Sequence, residues 1–230
     1  MNRQQRSQKI KRLTAIGMFC ALAYVCMYFI RIPVQFLTLD VKDSLITLCA
    51  LLFGPIAGAS VALIVPLLEF ITVSDTGVYG FLMNVLSSLT LSVTAGLIYR
   101  YRKSLSGAVF ALISAVFAVT AVMMLANLLI TPYYMHVPAE AVAAMIPTVL
   151  LPFNLLKATL NAALVLLLYK PLSNVLKKIG FLQSAGAPAG GEQMTDESTR
   201  LSMHRRSILV TVIAAAIIAA SLAVILLVLR

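Results

Sequence analysis

The chain has 230 residues, 61% of them hydrophobic and only 11% charged, with a mean hydropathy of +0.98. Soluble domains run about 45–50% apolar and about 25% charged, so a water-soluble domain is excluded and one membrane-embedded helical bundle is expected. The net charge of +10 does not indicate nucleic acid, because the basic residues cluster against the ends of apolar runs, where they retain loops in the cytoplasm and meet anionic headgroups.

The first apolar run covers residues 13–30, behind a basic stretch (1–12) carrying Arg3, Arg6, Lys9, Lys11 and Arg12. A signal peptide has the same outline, but this run is too long and lacks a clear small-x-small cleavage site, so it is read as a retained helix. Gly17 and Ala21 form a small-xxx-small pair within it, a pattern that lets another helix approach closely in lipid. Residues 31–42, with Pro33, Phe36, Leu37 and Asp40, are too apolar for an ordinary solvated loop. They are expected to fold back over a pocket as a lid.

Residues 44–73 form an apolar stretch interrupted by Gly54 and Pro55. It reads either as one broken helix or as a tight helical hairpin, and charge decides. With a hairpin, Arg100, Arg102, Lys103, Lys170, Lys177 and Lys178 fall on the side of the basic N-terminus, leaving only Arg31 and Lys42 in the outer loops. The positive-inside bias therefore selects the hairpin, and Gly-Pro suits its turn because proline disfavours helix in the residue before it. Asp43 or Ser44 is expected to cap the helix that follows the lid. Glu69, after Pro66, lines the mouth, pairs with a cation or faces outer water.

Three further spans cover residues 79–99, 105–131 and 152–169. Polar side chains inside them are the informative ones, since a lysine at the bilayer centre costs about 2.5–3.5 kcal/mol on insertion scales. Lys157 shares one helical face with Asn154 and Asn161, three residues before it and four after. Its two readings are a lysine that snorkels to the headgroups and a donor lining an outward-facing cavity. Asn127 lies at a similar depth on the preceding helix, where it lines the same pocket or makes an interhelical amide bond. Asn84, near the outer start of its own helix, carries the same two readings.

The chain is thus expected to be an all-α membrane protein. Residues 13–178 would form a six-helix substrate-binding bundle with both ends cytoplasmic. A flexible polar linker (179–206), rich in Gly, Ala and Pro followed by Glu192, Asp196 and Glu197, would lead to an extra spanning helix at 207–230. Cys20, Cys26 and Cys49 all lie in apolar spans, are odd in number and form no CxxC, so neither a disulfide framework nor a zinc site is expected. There is no GxxxxGK[ST], no HExxH and no recognisable cluster of acid, base and nucleophile. No catalytic residue, metal or cofactor is expected.

A family resemblance rests on three stretches. The run Leu39-Asp40-Val41-Lys42-Asp43-Ser44, the later run from Ala50 through Phe53, Gly54 and Pro55 to Gly58, and Pro152-Phe153-Asn154-Leu155-Leu156-Lys157 resemble the substrate-binding S components of energy-coupling-factor (ECF) vitamin transporters. The likeness spans roughly residues 10–178 and is greatest to the riboflavin-specific type. It implies a six-helix bundle in a bacterial inner membrane, N-terminus cytoplasmic, holding one vitamin near the outer face beneath the first outer loop. It implies a transmembrane coupling subunit and two cytoplasmic ATPases as partners, with Gly17 and Ala21 facing the coupling subunit. It also implies ligand hydrogen bonds from Asn127, Asn154 and Lys157, and brings Leu39 and Asp40 into the binding region beside Asn84 and Glu69. The frame is shared by S components for pantothenate, folate and other vitamins. A stand-alone secondary transporter and an intramembrane enzyme are the alternatives from other classes.

Overall fold

A computed structural model describes residues 3–73, 76–179, 181, 208, 212–220 and 223. Seven α-helices and one two-stranded hairpin follow in order: α1 (Arg3–Phe29), β1 (Arg31–Val34), β2 (Leu37–Asp40), α2 (Lys42–Phe53), α3 (Pro55–Thr72), α4 (Gly77–Tyr101), α5 (Leu105–Met135), α6 (Ala139–Met145) and α7 (Leu151–Lys178). A π-helical turn, Ile146–Leu150, joins α6 to α7. Residues 208, 212–220 and 223 are also helical. Of the expected linker, only 179 and 181 fall among the described residues.

Five stretches among the described residues are long and apolar enough to cross a membrane: Lys9–Phe29, Pro55–Thr72, Gly77–Tyr101, Leu105–Met135 and Ala139–Leu176. The expected second span of the bundle is not one of them. At 12 residues, α2 rises about 18 Å against a hydrocarbon core of about 30 Å. It runs from the hairpin to the Gly54 turn, and its residues from Lys42 to Leu51 are all buried.

The chain turns between α2 and α3 where the Gly-Pro break predicts. Gly54 sits at φ +96°, a conformation L side chains rarely adopt, and Pro55 opens α3, where its missing N–H costs nothing. The two helices then run so close together that a Cβ on Gly58 would overlap Ala50. One continuous core results, built on Phe19 and Ala23 of α1, Ile46, Leu48 and Cys49 of α2, and Val61 and Val65 of α3. Leu91 and Ala95 of α4, with Ala111, Leu112 and Ala115 of α5, complete it. Small residues are frequent there because helices in lipid associate through close packing.

Two expectations are corrected. α1 begins at Arg3 rather than residue 13, so the basic stretch continues the helix. The region between the expected spans 105–131 and 152–169 is not left as coil: α5 runs on to Met135, and α6 plus the π turn follow a left-handed His136 (φ +54°). The order of the elements places the hairpin, the C-termini of α3 and α5, α6 and the start of α7 at one end of the bundle. The start of α1, the Gly54 turn and the Arg102–Ser104 connection lie at the other.

Candidate binding site beneath the hairpin

A hairpin of two four-residue strands is too short to be stable alone in water. Here it pairs Arg31 with Asp40, Ile32 with Leu39, Pro33 with Thr38 and Val34 with Leu37, turning through Gln35 at φ +55°. Several bonds fasten it to the bundle. The Arg31 guanidinium donates to the Val73 carbonyl (2.9 Å). Lys157 Nζ donates to the Thr38 carbonyl (3.1 Å), and Asn161 Nδ2 to the Asp40 carbonyl (3.0 Å). The expectation of a lid at residues 31–42 thus becomes a strapped β-hairpin that ends where α2 begins.

Behind the hairpin lies a buried network of charges. The Asp40 carboxylate accepts from both Lys42 (3.0 Å) and Lys157 (2.9 Å) through Oδ2. Lys42 also donates to Glu69 (2.8 Å) and to the Asn84 side-chain oxygen (3.2 Å), while Asn84 Nδ2 donates to Glu69 (3.2 Å). Burial alone would push the Asp40 carboxyl up, but the ammonium groups of Lys157 and Lys42 hold it well below the usual carboxylate range. A lysine with 0% exposure is tolerated only because three acceptors meet its three N–H groups.

In front of this network the hairpin covers a cavity. About 740 Å³ of empty space, part of it open to solvent, is bounded by side chains of the hairpin, α4, α5 and α7. Phe36, Tyr79, Met83, Tyr134 and Phe153 supply its apolar and aromatic walls, and Asn84, Ser87, Asn127, Asn154 and Lys157 its polar groups. Both central amides are held by their own helices. Asn127 Nδ2 donates to the Met123 carbonyl (2.7 Å) and its Oδ1 accepts from Thr131 (2.9 Å). Asn154 Nδ2 donates to the carbonyl of Leu150 (2.8 Å), the last residue of the π turn. Each amide has a second N–H outside these bonds.

Four of the seven residues expected at the binding site meet in this cavity: Asn84, Asn127, Asn154 and Lys157. The other three do not line it. Leu39 is buried against Leu160 on α7. Asp40 and Glu69 stand behind the wall, each tied to lysine, so pairing with a cation is the reading of Glu69 that the geometry selects. Nor does Lys157 reach for headgroups, since Thr38 and Asp40 hold its ammonium inside. Asn161 of the predicted stripe turns to the backbone, accepting from the Ser44 N–H (2.8 Å). The expected cap is also corrected. Val41 is the N-cap of α2, without a side-chain bond, whereas Asp43 accepts from Ser88 and Ser87 on α4.

Sequence reasoning missed Lys42 and the aromatic wall. Lys42 read as an outer-loop charge, although a lysine between two aspartates in an apolar stretch is a signal of internal pairing. Nothing in spacing separates Tyr79 or Tyr134 from any other aromatic residue of a span. Gly17 and Ala21 are exposed on α1, away from the cavity, and a Cβ on Gly17 would meet nothing within 4 Å. Among the described residues, no group of three or more His, Cys, Asp or Glu is placed to hold a metal ion.

Known proteins resemble this chain over most of its length. The family described as "ECF transporter, substrate-specific component" matches residues 11–169. The riboflavin transporter RibU of Staphylococcus aureus (strain TCH60) is 33% identical over 187 residues, covering 77% of this chain and 98% of its own. The riboflavin transporter FmnP of Bacillus subtilis (strain 168) is 28% identical over 179 residues, 71% of this chain and 94% of its own. A solved structure described as "Structure and mechanism of the S component of a bacterial ECF transporter" superposes with a TM-score of 0.63 at 31% identity, covering 74% of this chain and 99% of the other.

Proposed function

This chain belongs to the family of ECF transporter substrate-specific components, and from that premise we propose that it captures riboflavin in the cavity beneath the hairpin and delivers it for ATP-driven import. It is a multi-pass membrane transport protein and not an enzyme. The observation that carries the ligand assignment is the joining of two facts. A cavity walled by aromatic rings and bordered by amides lies under a strapped hairpin, and the S. aureus relative, matched over 98% of its length, is named a riboflavin transporter.

The chemistry fits. A flavin is a flat fused-ring system with apolar faces and one edge that alternates carbonyl acceptors with an N–H donor. Phe36, Tyr79, Tyr134 and Phe153 offer stacking surface, while Asn127, Asn154 and Lys157 supply donors to the polar edge. Asn84 borders the same space. Leu39, Asp40 and Glu69 act from behind by holding the hairpin and the lysines in place. Protein purified from cells supplied with riboflavin should be yellow and carry about one flavin per chain. Colourless protein that takes up no riboflavin on titration, or that releases it to pantothenate or folate, would sink the assignment.

Family members work with a module of transmembrane and ATPase subunits, and we place that contact on α1. Gly17 and Ala21 lie one turn apart on its exposed face, where small residues let a partner helix come close. The partners in this reading are one coupling subunit and two cytoplasmic ATPases. A Cβ at Gly17 meets nothing within 4 Å among the described residues, so in Gly17→Leu riboflavin binding should persist while co-purification with the coupling subunit and uptake are lost. A variant that assembles normally but no longer binds would reverse this division of labour.

The basic end of the bundle is assigned to the cytoplasm of a bacterial cell, with residues 179–206 as a linker there and 207–230 as an added spanning helix. Cysteines introduced at 100–103 should be sealed from an impermeant maleimide applied outside, and one at His136 should react. The opposite pattern would invert the orientation.

A further inference from the structure

The helical residues 212–220 do not stand clear of the bundle. Ala214 is fully buried, and Ile218, four residues later and therefore on the same helical face, packs into the small apolar cluster around Leu39 and Leu160. Ile32, Phe153, Leu156 and Leu164 complete that cluster. Val212 and Ile213, on the other side of the turn, are 61% and 50% exposed. Ile32 and Leu39 are partners in the hairpin register, so the cluster joins the hairpin to α7, and Ile218 is its contribution from the end of the chain. The family match stops at residue 169, and the S. aureus relative spends 98% of its length on 77% of this chain. A C-terminal helix is thus an addition to what these proteins share.

We propose that this C-terminal helix docks on α7 and the hairpin as an intramolecular brace that holds the hairpin closed over the cavity. On the polar side, the hairpin is fastened by Arg31, Lys157 and Asn161. On the apolar side, Ile32 and Leu39 attach it to the cluster with Leu160. In lipid, close side-chain packing rather than water exclusion drives helix association, so Ile218 helps most where a shaped apolar surface meets it. The brace also leaves the assembly face free. α1 packs on α2 and α3, and among the described residues nothing lies within 4 Å of a Cβ placed on Gly17. A docked helix therefore slows opening without competing for the coupling subunit.

The consequence for riboflavin rests on the site assigned above; the docking itself does not. Three readouts separate the two. In a chain with Cys20, Cys26 and Cys49 replaced by alanine, Leu160→Cys with Ile218→Cys should cross-link under mild oxidant in native membranes. With Thr38→Cys in the same cysteine-free background, an impermeant maleimide added outside without ligand should label a chain ending at residue 206 faster than the full chain. Ile218→Gly in the full chain should shift labelling in the same direction, which guards against misfolding of the shortened form. Riboflavin should leave the shortened chain on the order of tenfold faster, since changes in closure appear mostly in the dissociation rate. Absence of the cross-link, equal labelling with and without residues 207–230, or unchanged release from a shortened chain that still binds riboflavin would each overturn the brace. If the cross-link and labelling behave as expected but no form binds riboflavin, the brace stands and the ligand assignment falls.

Discussion

Asp40→Ala should destabilise the folded protein by about 3–5 kcal/mol, the range for removing one partner from a buried ion pair. The carboxylate is 1% exposed and joins two ammonium groups through one oxygen. Deleting it leaves Lys42, itself 0% exposed, with Glu69 and Asn84 alone, and leaves Lys157 with one backbone carbonyl. The hairpin loses its carboxylate tie to Lys157 at the same stroke and keeps the bonds to the Thr38 and Asp40 carbonyls. Thermal unfolding in detergent, followed by size-exclusion profile, measures the loss. Asp40→Asn tests the cause, since it keeps the shape and removes the charge. Stability within about 1 kcal/mol of the parent in both variants would mean that Glu69 and the backbone suffice for the lysines. The direction with pH follows from the same pair. A carboxyl held below its ordinary value contributes stability that is present above about pH 4, the unfolded aspartate range, and is lost as pH falls through the lower folded value.

Lys157→Met should weaken riboflavin binding roughly ten- to a hundredfold, because hydrogen bonds to charged groups contribute about 1.5–3 kcal/mol each. The lysine has two connected duties. Its ammonium borders the cavity, and it ties the hairpin through Thr38 and Asp40. Methionine keeps most of the stem's volume but removes every donor. A loss confined to faster dissociation fits a lost ligand contact, while a changed association rate as well would point to altered opening of the hairpin. Asn127→Leu and Asn154→Leu should each cost about 1–2 kcal/mol if their second N–H groups meet the ligand. Titration calorimetry on folded variants reads all three. An unchanged affinity in Lys157→Met would move the polar contacts to Asn84 and the two central amides.

Features that depend on near neighbours were legible before any packing was known. Hydropathy marked the long spans, and Gly54 with Pro55 marked the turn between α2 and α3, because a positive φ and a missing N–H are local properties. Helical periodicity placed Asn154 and Lys157 on one face, and depth counting set Asn127 beside them, since 1.5 Å per residue holds along any helix. Only the tertiary structure decided which polar groups border the cavity and which stand behind it. Asp40 meets Lys157 across 117 positions of chain, and Lys42 meets Glu69 across 27. No local period encodes such separations. The same holds for α2, whose residues 42–51 have no solvated face although its charges suggest one. It holds for the hairpin as well, which forms because Lys157 and Asn161 reach it from α7 and its own Arg31 reaches out to Val73. A charged side chain in a membrane protein takes its role from the partner that neutralises it, and that partner is set by which helices pack together, not by its place in the chain.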